Sequence, residues 1–221
     1  GRVLELTADE GRATTARRSA GHPWQDPTTW WPRLTAATRH LPAPVAVIDR
    51  DALQFNALDM LVRAGGLPIR IATKSVRVRA VIDAALRLPG YRGLLAFTLA
   101  EALWLAHDHD DVVLAYPTAD RSSLQRLLAD EQAAARITLM VDDEAQLDLI
   151  DAVAAPAHRP RVRVAIDADA SWRAPALGHI GVFRSPLHTP EEVAGFARRI
   201  AERDGFRLVG LQMYEAQIAG Q

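Results

Sequence analysis

Short runs of β-branched and leucine residues recur along this 221-residue chain, and their spacing constrains the fold more than any other feature. They lie at Val45 to Asp49, Ile69 to Thr73, Gly93 to Phe97, Asp111 to Ala115, Arg136 to Val141, Val162 to Asp167 and Leu208 to Met213. The first six start roughly 20 to 25 residues apart, with an amphipathic helical pattern between most neighbours, which is the length of one strand and one return helix in a parallel sheet. Runs such as Val-Val-Leu and Ile-Thr-Leu-Met-Val do not alternate apolar with polar, so the strands are expected to be covered on both faces. No glycine-rich turn follows the first run, which argues against a doubly wound sheet. The expected fold is α/β, an incomplete (β/α)8 TIM-type barrel of about seven βα units with an N-terminal helical extension. The chain stops just after the seventh run, and the lack of an eighth strand predicts a truncated product of a longer gene.

Two regions are expected. Residues 1–41 read as the extension: a loose Arg- and Thr-rich start, then a helix from about Pro27 to Arg39, capped by Asp26, with proline in its first turn. Three of the five tryptophans fall in this region, at Trp24, Trp30 and Trp31, and are expected to pack the helix rather than bind a ligand. Residues 42–221 read as the partial barrel. Within it, Asp51 is expected to cap a helix carrying Leu53, Ala57 and Leu61 on one face and stopped by Gly65-Gly66. Thr189-Pro-Glu-Glu192 reads as a capping box ahead of Val193, Phe196 and Ile200.

The formal net charge is −1 with acidic and basic residues interleaved, which argues against a nucleic-acid or membrane-surface partner. There is no cysteine, which excludes a disulfide framework, a thiolate metal site and a thiol nucleophile. No apolar run is long enough to span a bilayer and no secretion signal opens the chain, so a cytoplasmic location is the default expectation.

Within this composition one residue stands apart. The 26 basic residues are one lysine, Lys74, and 25 arginines. Arginine stays protonated in proteins, whereas a lysine amine in a dry, partly apolar site can lose its proton and attack a carbonyl carbon. Lys74 ends the run Pro68-Ile-Arg-Ile-Ala-Thr-Lys74, where a barrel strand would deliver it to the active face. The other reading is coding bias, with Lys74 a leftover at a strand end.

In a βα barrel the loops after the strands form the active face. That rule collects Asp49, Arg50, Lys74, Ser75, Thr98, Tyr116, Thr118, Asp142, Asp143, Asp167, Asp169, Arg173, Tyr214, Glu215 and Gln217 at one end. It demotes the metal-like string His107-Asp-His-Asp-Asp111, which lies between a helix and the next strand. Asp142 and Asp143 are most simply helix caps. The segment Ala168 to His188 is the longest loop of its kind and holds His179, Arg173 and Arg184; an arginine there suits a carboxylate, a phosphate or a ring nitrogen.

Four stretches carry a family likeness: Ile71-Ala-Thr-Lys74-Ser-Val-Arg77, Ile166-Asp-Ala-Asp-Ala-Ser-Trp-Arg173, His179-Ile-Gly-Val-Phe-Arg-Ser-Pro186 and Gly210-Leu-Gln-Met-Tyr-Glu-Ala-Gln-Ile-Ala-Gly220. Together they resemble the alanine racemase-like, fold type III group of pyridoxal-phosphate enzymes, and within it the D-threonine aldolase and D-serine dehydratase branch, which includes bacterial amino acid deaminase/aldolase proteins. The resemblance runs from about Pro44 to Gln221. It implies that Lys74 holds pyridoxal 5'-phosphate as a Schiff base and acts as acid/base on the substrate, with Arg173, Tyr214 and Gln217 as further cofactor-binding residues. Three departures stand out. Asp169 occupies a position where the family pattern has glycine; Arg173 sits one position late, which makes Arg184 a rival; and Glu215-Ala216 replaces a His-Gly-like pair.

The reading that follows is a lyase, an amino acid deaminase/aldolase acting on a D- or β-hydroxy amino acid. An amino acid racemase, a non-catalytic pyridoxal-phosphate carrier, and a cofactor-free barrel acting on a phosphorylated metabolite are the alternatives. By the same resemblance the phosphate-holding residues, a β-domain and a divalent-metal pair would follow Gln221. The fragment itself is then expected to bind cofactor weakly and turn over little, and the full-length protein to be a homodimer.

Overall fold

The computed structural model describes residues 3–7, 21–176 and 178–218; the predicted loose start at 8–20 lies outside them. In chain order its helices are α1 (Pro27–Thr38), α2 (Arg50–Arg63), α3 (Thr73–Val76), α4 (Arg79–Leu86), α5 (Leu99–Leu105), α6 (Arg121–Leu128), α7 (Glu131–Arg136), α8 (Glu144–Val153) and α9 (Pro190–Glu202). The strands are β1 (Ile69–Ala72), β2 (Tyr91–Ala96), β3 (Val112–Leu114), β4 (Ile137–Val141), β5 (Val162–Ala168), β6 (Trp172–Ala174), β7 (Gly178–Ile180) and β8 (Phe206–Met213). The chain divides into two compact units, Gly1–Ile71 with Arg77–Arg92, and Ala72–Val76 with Gly93–Gln221.

In the first unit, α1 starts at Pro27 because Asp26 accepts a hydrogen bond from the Thr28 amide at 3.0 Å. Trp24 packs on Phe55 of α2 with ring centroids 5.9 Å apart, and His22 lies between them, 4.6 Å from Trp24 and 4.2 Å from Phe55. Trp31, in contrast, is 63% exposed, so only part of the tryptophan cluster packs as expected. The cap of α2 is Asp49, which accepts from the Ala52 amide at 2.7 Å, and not Asp51, which lies in the first turn. Gly65 and Gly66 end this helix region at φ +59° and +90°, a conformation that side chains disfavour. Ala57 and Leu58 bury against Ala84 and Leu88, and the Tyr91 hydroxyl donates to the Ala57 carbonyl at 2.8 Å.

Six strands form a parallel sheet in the order β1-β2-β3-β4-β5-β8, an α/β arrangement that is an incomplete TIM-like barrel. Six of the seven apolar runs are therefore strands. The first, Val45 to Asp49, has no strand assigned: Val45, Val47 and Ile48 are about half exposed, and this extended segment carries no ladder of backbone bonds. β4 is buried at every position and β5 at all but one, the two-sided cover that their unalternating sequence predicted. In the second unit the helices pay their apolar faces into this sheet: Leu124, Leu147, Phe196 and Ile200 are at most 1% exposed. Each such burial contributes roughly 1.5–3 kcal/mol before ordering costs. Thr189 and Glu192 form the expected capping box of α9.

Candidate active site

Lys74 is placed by its neighbour. Thr73 is fully buried and its hydroxyl donates to the Leu95 carbonyl at 3.3 Å, so the short turn α3 is pinned against β2 as it leaves β1. The Lys74 amine then lies 5.4 Å from the centre of the Phe97 ring, at the carboxyl end of β2. There it lines both lobes of a cleft. One lobe, about 470 Å³, is walled by Ala96, Ala115, Tyr116, Arg184, Gln212 and Tyr214. The other, about 650 Å³, is walled by Thr98, Pro117, Thr118 and Asp120. Phe97 and Tyr116 meet edge to face, 5.6 Å apart, where the lobes join.

The cleft is open. Lys74 is exposed, and Phe97, Tyr116 and Tyr214 are 40%, 38% and 46% exposed. The dry setting expected around the amine is thus absent from this structure, because the aromatic walls stand in solvent rather than closing over it.

Arg184 is the second cation of the cleft. Its Nε donates to both carboxylate oxygens of Asp167, at 3.0 and 2.8 Å, and its Nη2 donates to the Ala115 carbonyl at 2.6 Å. The guanidinium lies over Tyr116, 4.6 Å from the ring centre, and 5.8 Å from that of Tyr214. Asp167, at 1% exposure, is driven above the usual carboxylate range by burial, against the pull of Arg184. Arg184 is itself held above its ordinary value: burial disfavours its charge, and Asp167 more than compensates. Gln212 reaches the same Ala115 carbonyl at 3.4 Å.

The remaining expected residues sit elsewhere. Arg173 is an exposed residue of β6, paired with His179 in the antiparallel β6–β7 hairpin, and is not among the residues lining either lobe. Gln217 donates to the Ala170 carbonyl at 2.8 Å, outside the lining. Lys74, Tyr214 and Arg184 therefore line one lobe together, and Arg173 does not. Asp143 caps α8, and Asp142 accepts from Gln146 at 2.6 Å. The His107–Asp111 string joins α5 to β3, as the strand-end rule placed it, and Arg136 ties Asp110 there at 2.9 Å. Among the described residues, no group of three or more His, Asp or Glu side chains is arranged to hold a metal. Phe97 and Gln212 are site residues that sequence reasoning passed over; both stand at or near strand ends, and that position was the available signal.

Chemically, the cleft offers one primary amine, a guanidinium fixed by a carboxylate behind it, flat aromatic walls and, among the described residues, no acidic side chain in the lining of the Arg184 lobe. That set suits a flat, anionic carbonyl compound.

Comparison with known proteins gives the following. The family model described as alanine racemase, N-terminal domain, matches residues 48–220. No curated protein matches the chain. Among solved structures, D-threonine aldolase from Filomicrobium marinum is 20% identical with a TM-score of 0.61, over 78% of this chain and 44% of that one. The H351A mutant of a D-threo-3-hydroxyaspartate dehydratase is 25% identical with a TM-score of 0.59, over 82% and 46%. Alanine racemase from E. faecalis is 20% identical with a TM-score of 0.56, over 75% and 42%. The chain thus spans less than half the length of each of these structures.

Proposed function

The chain belongs to the alanine racemase N-terminal domain family, and on that premise we propose that it is the cofactor-bearing part of a pyridoxal-phosphate-dependent lyase acting on a D- or β-hydroxy amino acid. The observation that carries this reading is the placement of the chain's one lysine at the strand ends, lining both lobes of the cleft. The residues present fit the cofactor: an amine for its aldehyde, aromatic walls for its ring, and a cation for a polar or anionic edge. Residues 42–221 form the proposed cofactor-binding region.

Bound pyridoxal phosphate supplies an electron sink for negative charge at the substrate Cα. The protein supplies the rest. Lys74 Nζ would hold the cofactor's aldehyde carbon and would take or return a proton at the substrate Cα. Tyr116 and Tyr214 would offer aromatic walls to the ring, and Arg184 would offer its guanidinium to a polar or anionic edge, while Gln217 braces the loop that carries Arg184. Two bond cleavages are open to a β-hydroxy substrate. Breaking Cα–Cβ, with the hydroxyl proton lost and a proton returned to Cα, gives glycine and an aldehyde. Breaking Cα–H and Cβ–OH releases water, and hydrolysis then frees ammonia and a keto acid.

Incubation of the full-length gene product with pyridoxal phosphate and then D-threonine, D-serine or alanine tests the proposal. The expected result is aldehyde or keto acid that is lost in Lys74→Ala. Racemised alanine without cleavage products would favour a racemase, a cofactor spectrum without any product a carrier, and no spectral change at all would contradict the proposal.

A further inference from the structure

The loop from Asp169 to Leu187 brings Arg184 to the cleft, and its two ends are fastened by one residue. The Asp169 amide donates to the Leu187 carbonyl at 2.8 Å, closing the loop at its base. The Asp169 side chain, in a residue only 2% exposed, accepts from the Ser171 amide at 3.1 Å through Oδ1 and from the Ser171 hydroxyl at 2.7 Å through Oδ2. His188 Nδ1 lies 3.4 Å from Oδ2, close enough to be an ion pair when protonated, though not aligned for a hydrogen bond. Beyond the base, the His188 and Thr189 amides both donate to Glu192 at 2.8 Å, anchoring the far end to α9. Inside the loop, Gly181 at φ +115° has no room for a side chain: a Cβ would stand 2.9 Å from Gln217 Oε1 and 3.1 Å from the Ser171 Cβ.

We propose that Asp169 is a positioning residue: its amide closes the loop base on Leu187, and its carboxylate, held by Ser171 and facing His188 across that base, keeps it shut and so sets Arg184 against Asp167 at the cleft. A buried carboxylate is costly unless it is satisfied. This one accepts both of its hydrogen bonds from Ser171, two residues on, and its Oδ2 faces His188 at the far end of the loop, a contact made only when the loop is shut. Leu187 is three residues from Arg184, and Asp169 is two from Asp167. Closing the base therefore fixes both partners of the cleft pair. The inference rests on the reading of the cleft as the active site, and not on which cofactor occupies it.

The test reads the loop directly. Opening exposes the Arg184–Ser185 bond to trypsin, and cleavage follows the population of the open form. In the intact chain the Arg184 side chain is 13% exposed, and cleavage there is expected to be slow. Asp169→Ala should speed it about tenfold, the effect of losing hydrogen bonds to a charged group, with the melting temperature little changed. The Arg184 Nε–H resonance, identified by its loss in Arg184→Lys, should shift in Asp169→Ala and return towards its original position in Asp169→Asn, which retains the Oδ1 acceptor. Should Asp169→Ala not fold, Ser171→Ala removes the hydroxyl bond alone and should produce a smaller shift in the same direction. An unchanged Arg184 resonance and unchanged cleavage in the folded variants would overturn the proposal. Absence of cofactor binding in the unaltered chain would instead count against the functional reading and leave this result standing.

Discussion

Asp167 and Asp120 show how burial and hydrogen bonding drive two carboxyls in opposite directions. Asp120 caps α6 and accepts from the Ser123 and Ser122 side chains and the Ser123 amide, which lowers its pKa to about 2. Its contribution to stability is complete above the ordinary carboxylate value and is lost as pH falls through about 2. A carboxyl titration followed by NMR should find that value, and Ser123→Ala should raise it. Asp167 is raised by burial, so its contribution has the opposite sign: it is complete below the ordinary value and declines as pH rises. What keeps its charged form tolerable is Arg184. Replacing Asp167 with Asn should cost about 2 kcal/mol in denaturant unfolding, less than a deeply enclosed pair would lose, because the freed guanidinium can turn into the open cleft. The same change should release the Arg184 Nε–H resonance from its present environment.

Helices and strands divide into those that the sequence specified locally and those that only tertiary context decides. α9 is of the first kind. Its capping box and its Val193, Phe196 and Ile200 stripe were legible, and Phe196 is 1% exposed in the fold. Phe196→Ala should lower stability by about 3–5 kcal/mol. Trp31→Ala on α1 should change it by no more than about 0.5 kcal/mol, since that ring stands in solvent; paired unfolding curves decide between these outcomes. The cap of α2 moved from Asp51 to Asp49, because two aspartates near one helix start give the same local signal and the chain's approach selects between them. The run at Val45 to Asp49 has strand composition, but composition alone does not supply a neighbouring ladder. The β6–β7 hairpin was not foreseen. Its three-residue strands lie inside a loop rich in small residues and have no periodicity to betray them. The site followed the same rule. That Lys74 and Tyr214 line one cleft was legible from strand ends, whereas the position of Arg184 beside them, with Arg173 outside the lining, depends on how a long loop folds back, which no local pattern encodes.

At the scale of the whole molecule, the balance of shifted carboxyls sets the acid response. Asp26, Asp120, Asp169 and Glu192 are lowered and Asp167 is raised. For Asp169, burial pushes upward, but the Ser171 side chain and amide, with His188 and His179, carry the net shift down. Four groups against one predict that stability falls as pH drops below about 4; thermal melts at a series of acid pH values measure it, and a rising melting temperature there would contradict the assignment. The parallel sheet ends in β8, where Val209, Leu211 and Met213 are 37%, 53% and 47% exposed. No helix among the described residues is long and apolar enough to cross a membrane. The chemistry proposed for this molecule converges on a single amine, and the composition makes that claim unusually direct to test. Lys74 is the one side-chain amine in the chain, so a side-chain label has one place to go. Treating the chain with pyridoxal phosphate, reducing with borohydride and mapping the adduct by peptide mass spectrometry should place one label on Lys74, and Arg184→Ala should reduce its yield at limiting cofactor. At saturating cofactor, an adduct that spares Lys74 would contradict the account.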